Sequence, residues 1–467
     1  MTTTASAALS ASAPSRAADT RQRMLHGPVL PTLMRLATPN VLGLFANTIV
    51  IGFDGYIVGR LGADALAGVA VVLPLAMLML HMSAGGLGGS ATAMVARAAG
   101  AGDDARAARL AWHALVLGLI ASLLFTLVAA SPMLYAAMGA RGPALEQAAR
   151  YAAVLFAGAS AVWTVNVLAG VARGTGQMGA AALALIATTV MHLLLAPQLV
   201  FGLGPLPPLG VAGAAASTVT CSAVSALALL AWLSRRGAPA RPLGAGWRLR
   251  RDDTRDILRL ALPSAINPVL SNGSIALTTA YVAGFGGLAV AGYGIAARLE
   301  YILVPIAFGI GGALTAMVAT NLGAQQTARA KRIAWTGAAL VWAITGAIGV
   351  LAALWPQWWM AAFTQDAAVQ AAGASYLRIV GGAYGFFGLG LALFFASQGA
   401  GRLTWPLVAS AARLVVVALG GWLALRLAGD QPQALYAVVG LSLALMGLTL
   451  AIATHRSDWS APLRGHR

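Results

Sequence analysis

The chain has 467 residues, 59% of them hydrophobic and only 9% charged, with a formal net charge of +17. Soluble domains carry about 25% charged residues, so this composition excludes a water-facing globular surface. The positive balance reads as Arg and Lys marking cytoplasmic loops, and no nucleic-acid partner is expected.

In chain order, residues 1–30 are rich in Ser, Ala and Thr, carry Arg16, Arg21 and Arg23, and lack an apolar core. They read as a disordered cytoplasmic tail and not as a signal peptide. Apolar runs then predict spans over 34–58, 65–92, 108–131, 146–170, 178–201 and 211–233. A basic segment, 234–255, is expected to be a cytoplasmic linker. Six further spans follow at 256–284, 288–318, 330–354, 369–396, 404–427 and 432–454, before a short tail over 455–467. A helix needs roughly 20 apolar residues to cross a bilayer, which each run supplies. The runs are apolar on every side, whereas barrel strands alternate, so a β-barrel is excluded. The expected fold is an all-α integral membrane protein of about twelve transmembrane helices. Cys221, the one cysteine, lies in an apolar run. No disulfide, metal or cofactor is therefore expected.

Charge alternates across the connections. Arg97–Arg109, Arg173, the 234–255 segment, the Arg329–Lys331–Arg332 cluster and Arg402 fall on the side of both termini. The other side shows Arg60, Arg141, Arg150 and Arg426. The positive-inside rule then puts both termini and the linker in the cytoplasm.

The two halves repeat. Leu36-Ala37-Thr38-Pro39 returns as Leu260-Ala261-Leu262-Pro263, and Ala67-Gly68 returns at the same offset as Ala291-Gly292. Thr92-Ala93-Met94-Val95-Ala96 returns as Thr315-Ala316-Met317-Val318-Ala319 after one gap. An even number of spans per half makes the repeats parallel, two six-helix bundles (31–233 and 256–454) related by a pseudo-twofold axis along the membrane normal. Such bundles alternate access to a cavity between them. Pro39 and Pro263 occupy equivalent places and are hinge candidates, because proline frees a backbone carbonyl.

Several stretches, in this order, resemble the multidrug and toxic compound extrusion (MATE) family, in its DinF-like branch. They are Phe53-Asp54-Gly55 through Gly62, Ala91 through Gly102, Arg173-Gly174-Thr175-Gly176, Pro208 through Ala215, and Gly323-Ala324 with Arg329-Ala330-Lys331-Arg332. The resemblance implies proton- or sodium-driven export of organic small molecules, cationic or amphipathic, and the antiporter is expected to be a monomer in a bacterial-type inner membrane.

Ionisable residues inside spans are costly and mark function. Asp54 is the foremost, a candidate for proton exchange. In the family the matching Asp works with an Asn and an Asp in the fifth span and a Thr in the sixth. Those positions hold His192, Ala196 and Thr218 here. The second carboxylate is thus replaced, and an imidazole, which titrates near neutrality, stands nearby. Protons are favoured over sodium, which wants several oxygen ligands.

Tyr56, Asn166, Asn272, Arg298 and Glu300 are candidates for substrate contact, as polar or aromatic groups among apolar walls. Arg298 and Glu300, two residues apart, point to different helix faces. Arg413 is open to two readings, snorkelling to the interface or facing the cavity. The alternatives are a lipid or glycolipid flippase, which would carry more interior arginines, and a membrane-embedded transferase. The latter needs clustered carboxylates, and Asp103-Asp104 and Asp252-Asp253 sit in loops, so no enzyme is expected.

Overall fold

Twelve membrane-length units run through the computed structural model, which describes residues 16–203, 207–235, 240–244, 248–429 and 431–460. The first lobe holds α1 Val29–Gly59, α2 Ala63–Gly100, α3 Asp104–Ala129, α4 in two pieces (Gly142–Ala157 and Ala159–Gly174), α5 Met178–Phe201 and α6 Val211–Leu233. The second holds α7 Arg251–Ala283, α8 Gly287–Gly323, α9 Thr327–Leu354, α10 Ala367–Ala400, α11 Thr404–Ala428 and α12 Pro432–Arg456. Ten of them are long and apolar enough to cross a membrane as they stand, and α4 qualifies as a pair bent by 47°. The twelfth unit is α7, whose Ser264, Asn267, Ser271, Asn272, Ser274 and Thr278 dilute its apolar character.

Local chemistry sets the ends. Asp103 caps α3 by accepting from Arg106 N at 2.8 Å, and Asp366 caps α10 by accepting from Ala368 N at 2.8 Å. Gly401, at φ 74°, stops α10 in the left-handed conformation that favours glycine.

Three expected boundaries move. The tail expected to be disordered through residue 30 is helical over Arg16–His26, because Met24 and Leu25 are buried and Asn321 Nδ2 of α8 donates to Met24 O at 3.0 Å. The linker expected to end at 255 gives way to helix at Arg251. The last span continues to Arg456, inside the expected C-terminal tail. Residues 1–15, 236–239 and 245–247 of the tail and linker, and 461–467 at the C-terminus, lie outside the described residues.

The pseudo-twofold relation is visible contact by contact. In the first lobe α1 packs on α5, α5 on α6, α2 on α4 and α4 on α6; in the second α7 packs on α11, α11 on α12, α8 on α10 and α10 on α12. Thr92 Oγ1 donates to Gly170 O and its equivalent Thr315 Oγ1 donates to Phe395 O, both at 2.9 Å. Across the axis, a Cβ added to Gly100 would stand 2.1 Å from Thr320 O, and one added to Gly323 would stand 2.1 Å from Arg97 O. That reciprocity is the mark of a twofold interface.

The hydrogen bonds and ion pairs joining the lobes run from mid-span to the arginine-rich end. At mid-span Asn40 Nδ2 donates to Gly309 O at 2.9 Å and Gln398 Nε2 donates to Gly85 O at 2.9 Å. At the end, Arg97 donates to Ala400 O at 2.9 Å, Arg106 pairs with Asp256 at 3.0 Å and Arg109 pairs with Asp253 at 3.3 Å. Towards the other end α1 is open, with Ile49 58% and Tyr56 64% exposed.

Pro39 and Pro263 lie within helices that run on without a break, so the expected hinges are not points of interruption. The irregular turns fall elsewhere: π-helical segments at Met82–Gly88 in α2 and Val416–Gly420 in α11, and a 3-10 turn at Gly381–Ala383 in α10. Such bulges gather at functional sites and ease bending.

Candidate functional site

Within the first lobe, α1, α5 and α6 bring three polar side chains into one line. His192 Nε2 lies 2.8 Å from Asp54 Oδ1, and His192 Nδ1 lies 3.0 Å from Ser217 Oγ. His192 sits on the buried face of α5 with Thr189 and Ala196, and Ser217 on the buried face of α6 with Ala214 and Cys221. The imidazole is 2% exposed and Ser217 is fully buried, whereas the Asp54 side chain keeps 19% of its surface open. Asp54 is therefore the mouth of the chain and Ser217 its closed end. Tyr151, buried in α4, lies within electrostatic reach of Asp54.

A carboxylate, an imidazole and a hydroxyl in sequence can hold one proton on either side of the 2.8 Å contact. With a neutral ring, Ser217 donates to Nδ1 and Nε2–H donates to Asp54; with a doubly protonated ring, Nδ1–H donates to Ser217. The order resembles a hydrolase triad, but Ser217 at 0% exposure cannot meet a substrate. Thr218, expected beside Asp54, instead donates to Ala214 O in its own helix at 3.2 Å. Its neighbour Ser217 takes the position on the imidazole, a distinction of about 100° around the helix that sequence spacing alone did not resolve.

The residues expected at the substrate wall are scattered. Tyr56 is exposed near the C-terminal end of α1. Asn272 is exposed on α7 and donates to Pro268 O at 2.8 Å. Asn166 is buried between α4 and α2, donating to Ser83 Oγ at 2.9 Å beside the π-helical turn. Arg298 stands at a break in α8, exposed, with its guanidinium 5.5 Å from the Phe363 ring centre.

Glu300 turns the other way, into the second lobe. Its Oε1 accepts from Tyr376 OH at 3.5 Å, and it interacts with Arg413 of α11 and with Tyr384. Arg413 is 6% exposed and stacks 5.8 Å from the Phe387 ring centre, so neither the interface nor the interlobe cavity holds it. Tyr293 and Tyr436 flank Tyr376 edge-on at 5.1 and 5.2 Å. The α8 break, the α10 turn and the α11 π-helical turn all lie close in sequence to these residues. No group of three or more His, Cys, Asp or Glu among the described residues could hold a metal.

The family model MatE matches residues 39–198 and 263–423, once per lobe, in agreement with the internal repeat. The chain is 30% identical over 428 residues to the probable multidrug resistance protein NorM of Deinococcus radiodurans, covering 90% of this chain and 94% of that one. It is 26% identical to the FAD transporter of Shewanella oneidensis, covering 85% and 88%. Its fold is similar to that of a solved MOP superfamily transporter from Pyrococcus furiosus, with a TM-score of 0.85, 24% identity and coverage of 93% of this chain and 96% of that one. With the repeat, the twelve helices and a family match in each lobe together, the chain belongs to the MATE family of membrane transporters.

Proposed function

We propose that the protein exports organic small molecules by alternating access, driven by protons moving inward through Asp54. The observation that carries this reading is the 2.8 Å contact between Asp54 and His192, partly open at Asp54 and closed at His192. A proton added to or removed from that pair changes the attraction between α1 and α5, and so the energy of α1, a wall of the interlobe cavity. The similarity to a probable multidrug resistance protein supports export of small organic molecules.

Sodium is the weaker driver. A hard cation prefers several oxygen ligands, and the partner of Asp54 Oδ1 is a ring nitrogen. We take the arginine-rich end as cytoplasmic by the positive-inside rule, which makes this conformation closed to the cytoplasm and open outward. The coupling pair and the cavity walls belong to one chain, so the working unit is read as a monomer. The two lobes are read as the moving bodies, with the 234–255 segment as their link.

The test is efflux from proteoliposomes of the full chain, with pH and sodium gradients imposed separately and a panel of cationic, zwitterionic and anionic dyes inside. Export under a pH gradient alone supports the reading. Export that follows sodium at fixed pH sinks it.

A further inference from the structure

The lobe seam is not symmetric in its chemistry. Two interlobe clusters occupy equivalent places in the repeat, one around Gln398 and the other around Arg173. Gln398 is fully buried, lies against Gly89, donates to Gly85 O at 2.9 Å, and donates to Ser264 Oγ at 2.8 Å. Its charge-free amide nitrogen thus has one protein partner in each lobe, while Oε1 is left without one.

Arg173 holds the matching position in α4. It reaches α8 of the opposite lobe at Gly312, where an added Cβ would stand 3.3 Å from Arg173 Cδ and 2.8 Å from Asn40 Nδ2. Only 9% of Arg173 is exposed, and no hydrogen bond or ion pair involving its guanidinium is present among the described residues. The nearby Asn40 Oδ1 is also buried without a partner. Asn40 lies eleven residues into α1 and Gly312 eleven residues before the end of α8, about 16 Å from the arginine-rich end at 1.5 Å per residue. That places the group about a third of the way along the 31-residue α1, well inside the helix rather than at its end.

A guanidinium left unpaired at such depth is costly, and it carries five donors with no acceptor. What compensates it comes from outside the protein side chains, from water or a bound ligand, through the 9% of the residue that stays open. We infer that Arg173 is the anion-binding group of the substrate site: it receives a carboxylate or phosphate of the transported molecule where α1, α4 and α8 meet. Asn40 Oδ1 is the accompanying acceptor, suited to a hydroxyl or ammonium on the same molecule. The class of substrate is then a zwitterion or an organic acid with an apolar body, and not a simple cation. Because Arg173 belongs to one lobe and Gly312 to the other, the site is complete only when the seam is closed at this level. This inference rests on the exporter reading and narrows its substrate.

The test uses two xanthene dyes that differ in one group, a free carboxylate in one and its methyl ester in the other. Binding to the purified full chain is read by fluorescence polarisation, and export by efflux from proteoliposomes. The free acid is expected to bind about tenfold or more tightly than the ester, as a charge-assisted pair to arginine allows. Arg173→Gln should abolish that preference by weakening binding of the acid far more than that of the ester, while Arg173→Lys should keep part of it. Equal binding of the two dyes by the unaltered protein overturns the inference, even if Arg173→Gln fails to fold. A loss that is equal for both dyes in Arg173→Gln also overturns it, because that marks a structural residue. Should the acid bind preferentially while neither dye is exported under any gradient, the anion site stands and the exporter reading falls.

Discussion

His192 of α5 and Asp54 of α1 meet at 2.8 Å, and the far nitrogen of the same ring meets Ser217 of α6 at 3.0 Å. One imidazole therefore ties together three helices of the first lobe. If this is the coupling site, its members differ in what they contribute. Asp54→Asn should eliminate gradient-driven export while the purified protein keeps its thermal unfolding profile, because the side chain is partly open and its amide still bonds to the ring. Ser217→Ala should lower export by less than about tenfold, since it removes one hydrogen bond of roughly 1 kcal/mol. Efflux rates of the three proteins in matched proteoliposomes give the order, and export by Asp54→Asn at the unaltered rate would remove Asp54 from the mechanism.

The second lobe makes a separate prediction through Glu300 and Arg413. Removing the carboxylate by Glu300→Gln takes away the negative charge with which the buried Arg413 guanidinium interacts, and should lower stability. Arg413→Met in the same chain should recover much of that stability, because the unpaired charge is then gone. A double-mutant cycle on unfolding temperature in detergent reads the coupling directly, and strict additivity of the two changes would show that the residues do not interact.

Closure of the arginine-rich end depends on Asp253, which is 8% exposed at its side chain and faces both Arg106 and Arg109. These partners are partly solvated, so the net contribution is roughly 1 kcal/mol. Asp253→Asn should shift the balance of conformers about fivefold towards separation of the two lobes at that end. Spin labels at the exposed Ala101 and Thr404 would report it as a growing long-distance population. An unchanged distance distribution would mean that the backbone contacts at Gly100 and Gly323 close this end without help.

Close helix packing inside the first lobe rests on Gly170, where an added Cβ would come within 2.2 Å of Gly88 O. Backbone cannot yield as a flexible side chain can. Gly170→Ala should cost about 1–3 kcal/mol, as overpacking does, and should lower the unfolding temperature. The same change at Gly179, which has nothing within 4 Å, should be silent and serves as the control.

Much of this architecture was legible in the sequence because it depends on length and periodicity. The twelve apolar runs became α1–α12, and the return of Thr92 as Thr315 became two matching hydrogen bonds. Features that depend on which way a side chain turns were harder. Thr218 and Ser217 are adjacent, and only the packed face of α6 decides which one meets His192. Arg413 was readable as an interfacial or cavity arginine, and its electrostatic interaction with Glu300 arises from helices far apart in the chain. Arg173 counted as one more cytoplasmic arginine, since its Cα lies near the end of α4 while its side chain reaches back to Gly312. The helical N-terminal segment was missed because eleven polar-rich residues carry too little apolar pattern, and two of them, Met24 and Leu25, find their partners only in the fold.

Proton release on substrate binding tests the central claim most directly. The purified protein, in weakly buffered detergent with a pH indicator, is titrated with a dye that it exports. Coupling through the Asp54–His192 pair predicts release of about one proton per dye bound in the unaltered protein, by the reciprocity of linked binding, and none in Asp54→Asn, which should still bind the dye. Dye binding without proton release in the unaltered protein, or equal release in Asp54→Asn, would contradict it.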